Sequence, residues 1–253
     1  MEKKSKQKIE YEGDHYSIYT LDSDSRSSLI SRGKGTQKSK VSLWKQIVDL
    51  NPELVLDIGA NYGEFSVTIA NKHKNILSFE ANKEVFDCLE CSINELSNAN
   101  IKVFNLALGD KDSTSTLYVP KSSGNASLDL DSLTTKGEIR PQIVDERNIL
   151  NYIADYKSFV AKIDIEGTEY KLLNKIKENE HLFDWYCVFF EFNKSTDTDK
   201  NKINVIENFL NEKKIKLVYK DDSKILNEGV FKFKRGNPIR TKPITDIIAF
   251  YNI

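Results

Sequence analysis

Short apolar runs alternate with amphipathic segments along most of the chain. From Val41, the segment VSLWKQIVDL carries apolar residues at helical spacing and stops at Asn51 and Pro52, which predicts a helix. The short apolar runs predict strands at 54–58, 76–80, 101–107, 159–163, 187–192, 216–219 and 246–251. The amphipathic segments predict further helices at 65–72, 84–97, 168–177 and 205–213.

This alternation indicates the fold class. Strands separated by helices need crossover connections, so they form a mainly parallel sheet that is covered by helices on both faces. We therefore expect an α/β protein built around one main sheet. A chain of 253 residues buries about three quarters of its unfolded surface, which is enough for one full-sized domain.

Two regions depart from this rhythm. The first forty residues are polar, rich in Ser and Lys and weakly patterned, which predicts a loop or loosely docked arm. Residues 113–156 add an extra strand at STLYVP, a loop at KSSGNAS and a short helix at ILNYIADY. Such insertions usually lie at the carboxyl edge of the sheet. We expect a polar arm at 1–40 and a single domain at 41–253 that carries this insertion.

Composition narrows the class of protein. The formal net charge is -1, so no long-range field recruits nucleic acid or an anionic membrane. No apolar run has the length of a membrane span, and the first residues lack the apolar segment of a signal peptide. Three cysteines are an odd number, which fits a reducing compartment, and we expect a cytoplasmic protein. Cys88 and Cys91 have the C-x-x-C spacing, but no second Cys or His pair completes a set of four zinc ligands. We therefore expect two free thiols on one turn of a helix and not a zinc site.

The segment VLDIGANYGEFS ends a predicted strand in an acid and a glycine turn. In an open parallel sheet the ligand crevice lies beyond the carboxyl ends of the strands, which is where Asp57 is expected. Gly59 and Gly63 permit a tight turn and remove Cβ atoms that would keep a ligand away. The order D-x-G-x-x-x-G differs from the dinucleotide fingerprint G-x-G-x-x-G. S-adenosylmethionine fits better, because Asp57 can bind its ammonium group.

Two further acids follow the next predicted strands. Glu80 lies about twenty residues beyond the turn, the position from which an acid accepts hydrogen bonds from ribose hydroxyls. Asp110, in NLALGD, is a candidate acceptor for the adenine amino group, or an ordinary turn residue after Gly109. Asp57 alone is equally explained as an acid that caps the next helix. Asp57 and Glu80 together favour a cofactor site.

The segment KIDIEGTE repeats the order of strand, acid, glycine and helix. Asp164 and Glu166 follow one predicted strand, and Glu191 lies near the end of the next. Buried carboxylates must be solvated, paired with Lys162, protonated or bound to a metal. We expect these three acids to face the crevice, whereas Glu169 is explained by the dipole of the following helix.

The motifs together resemble a known family. VLDIGANYGEFS, SFEAN, NLALGD, SSGNASL, KIDIEGTE and DIIAFYN resemble, in this order, the FkbM-type S-adenosylmethionine-dependent methyltransferases over roughly residues 43–253. The resemblance implies a Rossmann-like class I methyltransferase core with a seven-stranded sheet, S-adenosylmethionine as cofactor, and O-methylation of a hydroxyl on a sugar or secondary metabolite. It implies a cofactor site formed by Asp57, Gly59, Asn61, Gly63, Glu80 and Asp110. It also implies that Asp164 and Glu166 lie beside the transferred methyl group.

The sequence departs from the family pattern at two positions. Ala81 stands where Pro is usual after the ribose acid, and Asn193 stands where His often follows the acid of the fifth strand. The second departure weakens any assignment of a histidine base. His73 and His181 are poorly placed in the predicted fold, and only His15, in the arm, could fold over the crevice as a base, which we do not favour.

Methyl transfer to a hydroxyl needs a group that accepts the hydroxyl proton. We expect Asp164 or Glu166 to be that base, with Glu191 as the third catalytic acid. In a variant of this hypothesis the three carboxylates hold Mg²⁺ or Ca²⁺, which prefer oxygen ligands. We favour the metal-free base, because no sequence spacing fixes a metal site.

We expect the acceptor to be a hydroxyl of a nucleotide-activated or surface-polysaccharide sugar, a small-molecule or glycan substrate. The basic residues of the arm and of FKFKRGNPIRTK could grip a diphosphate, although such clusters are more often solvated surface. An adenine methyltransferase for nucleic acid would need (N/D)PP(Y/F) where this sequence has DIEG. A non-sugar metabolite as acceptor and a non-catalytic S-adenosylmethionine-binding module are the alternatives.

Overall fold

The computed structural model describes residues 3–32, 38–97, 100–133, 137–191, 200–211, 213–219, 225–230 and 244–253. In these residues the strands are β1 (Lys4–Tyr11), β2 (Asp14–Leu21), β3 (Leu54–Ile58), β4 (Ile76–Phe79), β5 (Ile101–Phe104), β6 (Ala107–Gly109), β7 (Ser113–Val119), β8 (Arg140–Asn148), β9 (Ser158–Ile163), β10 (Trp185–Glu191), β11 (Lys214–Tyr219), β12 (Ile225–Val230) and β13 (Ile244–Tyr251). The α-helices are α1 (Ser25–Ser31), α2 (Lys38–Val48), α3 (Glu64–Ile69), α4 (Lys83–Asn94), α5 (Leu150–Ile153), α6 (Glu169–Glu178) and α7 (Lys200–Leu210).

The main sheet has the strand order β12-β11-β13-β10-β9-β3-β4-β5. Five neighbouring strands, from β10 to β5, run parallel, whereas β13, β11 and β12 pair antiparallel. All seven strands that the sequence predicts lie at least partly in this sheet, so the expected Rossmann-like α/β fold is confirmed. Strand β12 is an eighth strand that the pattern did not predict.

The central strands are buried on both faces, which explains their continuous apolar runs. Val55 and Val160 pack on one side of the sheet, where helices α2, α3 and α4 contribute the apolar partners. Leu56 and Ala161, one residue further along each strand, pack on the other side with α6 and α7. The carboxyl ends of these strands therefore form one edge between two layers of helices.

The predicted strand 101–107 is wrong as a single element. It divides into β5 and β6, and β6 leaves the main sheet for a three-stranded sheet with the order β6-β8-β7. The side chain of Asn105 lies at the break and donates to the carbonyl oxygens of Glu80 and Ala81. These hydrogen bonds tie the chain after β5 to the residues that follow β4, and beyond this point β6 pairs with β8.

The expectation of a loop or loosely docked segment is also wrong for residues 3–32 and 38–40, which are the part of the first forty that the structure describes. Strands β1 and β2 form an antiparallel hairpin, whose two-residue turn places Glu12 and Gly13 at positive φ. Ile9, Tyr11 and Ile18 are buried in the same core as α3 and α4. The signal was the alternation of apolar and polar residues on both sides of a Glu-Gly pair, which is a hairpin pattern. The division of the chain into domains stays a prediction.

Candidate active site

A cavity of about 360 Å³ lies at the carboxyl edge of the main sheet. Its wall contains six of the residues that the sequence predicts for the site, namely Gly59, Asn61, Glu80, Asp164, Glu166 and Glu191. The three other predicted residues, Asp57, Gly63 and Asp110, are not part of this wall. The loop at 122–126, from the predicted insertion, also lines the cavity.

The turn after β3 brings two strand ends close together. Gly59 has φ +76°, and a Cβ atom there would lie 1.9 Å from the carbonyl oxygen of Asp164. The N–H of Asp164 donates to the carbonyl oxygen of Ile58 at 3.0 Å. Gly63 has φ +91° and precedes α3, and a Cβ atom there would lie 2.8 Å from the Leu89 side chain. Both positions need glycine for backbone reasons, and only Gly59 borders the cavity.

Asp57 lies behind this turn, inside strand β3. Its side chain is fully buried and accepts a hydrogen bond from the Ser66 hydroxyl at 2.6 Å. Its Oδ1 atom is 3.5 Å from Nζ of Lys162. The expected direct contact between Asp57 and an ammonium group is therefore not what this geometry offers. Asp57 thus stabilises the segment after the turn through Ser66 and pairs with the buried Lys162.

Glu80 holds the other side of the turn. One carboxylate oxygen accepts the N–H of Asn61 at 2.9 Å, and the other accepts the N–H of Asn82 at 2.8 Å. Burial raises the pKa of Glu80 to about 7, although the hydrogen bonds from Asn82 and Asn61 act in the opposite direction. Each carboxylate oxygen can accept a second hydrogen bond. Glu80 can therefore bind hydroxyl groups in the cavity while it fixes Asn61, whose φ is +51°.

Asp110 lies outside the site. It is exposed and follows β6, the short strand that belongs to the small sheet. The expected place beside an adenine ring assumed that the third strand continued in the main sheet to this point. Because that strand divides after Phe104, the structure favours the alternative of an ordinary turn residue.

Three acids converge at the other end of the cavity. One carboxylate oxygen from each of Asp164, Glu166 and Glu191 lies within 4.8 Å of the other two. Two lysines neutralise part of this charge, because Lys162 Nζ is 3.5 Å from Asp164 and Lys40 Nζ is 4.0 Å from Glu191. The spacing also suits a divalent cation with oxygen ligands, but the two ammonium groups already supply positive charge there.

The three acids differ in their protonation. Burial alone would raise the pKa of Asp164, but attraction to Lys162 and Lys40 outweighs burial and holds its pKa below the usual range. Burial and repulsion from Asp164 raise the pKa of Glu166 to about 8 and that of Glu191 to about 9. At neutral pH the cluster therefore contains one carboxylate and two carboxylic acids. A proton acceptor and two donors lie together at the cavity wall.

The backbone between Asp164 and α6 is shaped to present these groups. Glu166 has φ +59°, an unusual conformation for a residue with a side chain. The Glu169 carboxylate accepts the N–H of Ile165 at 3.0 Å and the N–H of Gly167 at 2.8 Å. Burial raises the pKa of Glu169 to about 7. Glu169 thus fixes the loop, a more specific role than the expected partner of the helix dipole.

The N-terminal segment supplies two cations to the cavity wall, Arg26 and Lys40. The Arg26 guanidinium donates to Glu64 at 2.6 Å, and Lys40 Nζ donates to Asp246 at 2.9 Å. The idea that the arm and a basic loop grip a diphosphate also involved Lys34 and residues 231–242, which lie outside the described residues, as does Asn193.

Asp24 is a buried residue that connects segments of the cavity wall, and sequence reasoning missed it. It accepts hydrogen bonds from the N–H of Arg26 at 3.0 Å, from the N–H of Ser123 at 3.2 Å, and from the hydroxyls of Ser123 and Tyr62. These bonds join α1, the turn after β3 and the loop at 122–126, all of which border the cavity. The available signal was an Asp directly before a short helical segment, the usual pattern of a helix N-cap.

This arrangement can be compared with known proteins. The model for the family described as the methyltransferase FkbM domain matches residues 57–217, which is more than half of the chain. The chain belongs to the FkbM methyltransferase family. No curated protein matches it.

Solved structures of low identity resemble this FkbM family member. A methyltransferase FkbM from Methylobacillus flagellatus KT has a TM-score of 0.47 and 16% identity, with 79% of this chain and 44% of that chain covered. A SAM-dependent methyltransferase from Agrobacterium tumefaciens has a TM-score of 0.47 and 8% identity, with 97% and 69% covered. TYW2 from M. jannaschii, in complex with AdoMet, has a TM-score of 0.43 and 12% identity, with 98% and 85% covered. The chain thus spans less than half of the length of the Methylobacillus protein.

S-adenosylmethionine is the cofactor of the FkbM methyltransferase family, to which the chain belongs, and the cavity residues fit it. The volume of about 360 Å³ lies in the range of small-molecule sites, about 300–1,000 Å³. Glu80 offers carboxylate oxygens to ribose hydroxyls. Ala81, Leu106 and Leu108 line the same end and provide the apolar surface that an adenine ring needs.

The described helices were also compared with the dimensions of a bilayer. None of them combines the length and the apolar character that crossing a membrane requires.

Proposed function

We propose that this FkbM family member is an O-methyltransferase that acts on a hydroxyl of a sugar, either nucleotide-activated or part of a surface polysaccharide. One observation carries the proposal: Glu80 and Asp164 line the same cavity. They follow β4 and β9, which are separated only by β3. Two strand spacings correspond to about 10 Å. Ribose binding at one end therefore leaves the other end for a methyl acceptor.

In this proposal Glu80, Gly59 and Asn61 bind the cofactor directly, and Asp57 and Gly63 hold the turn in place. Asp57 contributes through Ser66 and Lys162 rather than by contact. Asp110 has no role in the site, because it is exposed and separate from the cavity.

The reaction needs position and a base. S-adenosylmethionine supplies a methyl group on a positively charged sulfur. The protein must hold the acceptor oxygen in line with that group, which contributes about 7–11 kcal/mol in favourable cases. Asp164 is ionised at neutral pH and accepts the hydroxyl proton, a step that adds a factor of about 10²–10⁴. Glu166, protonated at this pH, donates a hydrogen bond that orients the acceptor, whereas protonated Glu191 hydrogen-bonds Asp164.

The decisive experiment incubates the full chain with S-adenosylmethionine and a panel of UDP- and GDP-hexoses, and detects the gain of one methyl group by mass spectrometry. Calorimetry with S-adenosylhomocysteine measures the cofactor site separately. Glu80→Gln should weaken S-adenosylhomocysteine binding about tenfold or more, because an NH₂ group, which cannot accept a hydrogen bond, replaces one of the two carboxylate oxygens. The matched control is Glu84→Gln. Glu84 lies on α4 and pairs with Arg140 of β8.

Other results would select the alternatives. Cofactor binding with methylation of a non-sugar hydroxyl compound would keep the enzyme and replace the acceptor class. Cofactor binding without methylation of any acceptor would support a non-catalytic binding module. Activity that is lost with EDTA and restored by Mg²⁺ or Ca²⁺ would replace the metal-free base with a metal held by Asp164, Glu166 and Glu191.

A further inference from the structure

Thr168 is a buried residue of the cavity wall that the proposed mechanism does not use. It directly precedes α6 and lies in the same segment as Asp164 and Glu166. Only 4% of its surface is exposed. Its backbone carbonyl accepts the N–H of Lys171 at 3.1 Å, so its main chain already has a helical partner.

The Thr168 hydroxyl has no hydrogen-bond partner among the residues that the structure describes. A Thr at this position normally accepts a backbone N–H of the first helical turn. Here the side chain makes no such capping bond. The Glu169 carboxylate instead binds the loop N–H groups of Ile165 and Gly167. The hydroxyl of Thr168 is therefore not needed to form this helix start.

A buried hydroxyl without a partner destabilises a fold by about 1–3 kcal/mol. The same segment also carries the unusual backbone conformation of Glu166, with φ +59°. An unpaired buried hydroxyl and a strained backbone next to a charged cluster are typical of a functional segment. A ligand hydroxyl that pairs with Thr168 would remove the free-energy cost of the unpaired hydroxyl.

We propose that the Thr168 hydroxyl binds a second hydroxyl of the acceptor, next to the hydroxyl that faces Asp164. This inference rests on the proposed function, and it specifies the acceptor as a polyol with neighbouring hydroxyls. Thr168 follows β9, the strand that also presents Asp164, and β3 separates it from the Glu80 end. A hydroxyl is both donor and acceptor, so it can pair with a hydroxyl of either orientation.

The test uses an isosteric pair of variants in the full chain. Thr168→Val removes the hydroxyl and keeps the shape, and Thr168→Ser keeps the hydroxyl. Thr168→Val should leave the midpoint of thermal unfolding of the free protein unchanged or higher, since it removes no hydrogen bond within the described part of the chain. Affinity for S-adenosylhomocysteine should stay within threefold for both variants.

Acceptor binding is measured by ligand-observed NMR, with S-adenosylhomocysteine saturating, on a panel of UDP- and GDP-hexoses and free hexoses. Each compound that binds the wild type should bind Thr168→Val about 10–100-fold more weakly and Thr168→Ser within threefold. Deoxy analogues should identify one hydroxyl whose removal weakens the wild type but not Thr168→Val.

The outcomes separate the two proposals. Failure of the wild type to bind S-adenosylhomocysteine would overturn the proposed function and this inference together. Normal S-adenosylhomocysteine binding with no bound member of the panel would overturn the polyol class. Equal acceptor affinity of the wild type and Thr168→Val, or a clear fall in the unfolding midpoint of Thr168→Val, would overturn the role of Thr168 alone.

Discussion

Two segments of this protein share one sequence pattern and have different structures. LDIGANYGE at the end of β3 and KIDIEGTE at the end of β9 both run from a strand through an acid and a glycine into a helix. The first acid, Asp57, is fully buried and does not touch the cavity. The second acid, Asp164, lines the cavity beside Glu166.

The two acids differ by two residues in their position relative to the strand end. Asp57 is the second-last residue of β3 and lies in register with Lys162, the second-last residue of β9. Asp164 is the first residue after β9 and corresponds to Gly59. An acid inside a central strand is enclosed by both layers of helices, whereas an acid just beyond the strand reaches the crevice. The same motif therefore supplies a buried supporting acid, Asp57, in the first segment and a cavity-lining acid, Asp164, in the second.

The largest expected effect comes from Asp164→Asn, which removes the ionised member of the acid cluster. Turnover of a methylated acceptor should fall about 10²–10⁴-fold, since the hydroxyl proton loses its acceptor. Affinity for S-adenosylhomocysteine in calorimetry should stay within threefold. Asp110→Asn is the control, because it changes the same residue type at an exposed position. If Asp164→Asn and Asp110→Asn lost turnover equally, Asp164 would have no special role as the proton acceptor.

Asp57→Asn should show the opposite profile. The change leaves Lys162 buried with a weaker partner, and it should lower the free energy of unfolding by about 2–3 kcal/mol, less than the loss of a whole buried pair because Asp164 remains near the lysine. Denaturant unfolding measures this difference. Asp164→Asn serves as the comparison, since its carboxylate is partly solvated. A variant with unchanged stability and abolished cofactor binding would return Asp57 to a direct ligand role.

The sequence indicated the main sheet well, because buried parallel strands are continuous apolar runs with helices between them. It also indicated Glu80, Asp164, Glu166 and Glu191, since each lies at or beyond a strand end that the pattern locates within about two residues. It could not separate Asp57 from Asp164, because their two-residue difference in position is no larger than that uncertainty.

Contacts between distant segments were less accessible to sequence reasoning. Asp110 was misplaced because the chain turns at Asn105, whose hydrogen bonds to the end of β4 are tertiary contacts. Asp24 was missed because its partners Tyr62 and Ser123 lie 38 and 99 residues away. The N-terminal hairpin did carry a local signal, the alternating residues around Glu12 and Gly13, but the polar composition of the segment obscured it.

The next prediction concerns the pH dependence of the acid cluster. The pKa of Glu191 is raised to about 9 in the folded protein, so the folded state keeps a proton that the unfolded state loses above its ordinary pKa. Its contribution to stability is full below about pH 4.5 and is lost as the pH rises towards 9, by up to about 1.4 kcal/mol per pH unit. Glu191→Gln should therefore flatten the fall of the unfolding free energy between pH 6 and 8.5.

The control for this pH profile is Glu90→Gln, an exposed acid on α4. Glu90 is exposed and lies outside the acid cluster, so its replacement should leave the slope as in the wild type. Unfolding in denaturant at several pH values, without added cofactor, gives both slopes. Parallel curves for Glu191→Gln and the wild type would contradict the protonated state of Glu191 in the cluster.

The smallest expected effect concerns the hydrogen bonds between the N-terminal segment and the loop at 122–126, which both border the cavity. Ser123→Ala removes the hydroxyl bond to Asp24 and keeps the N–H bond of the same residue at 3.2 Å. One such bond contributes about 1 kcal/mol, so S-adenosylhomocysteine should bind about three- to fivefold more weakly if Asp24 positions the cavity wall. Ser122→Ala is the matched control in the same loop. Because Ser122 also lines the cavity but does not bond to Asp24, equal affinities of the two variants would show that wall contact rather than the Asp24 network governs binding there.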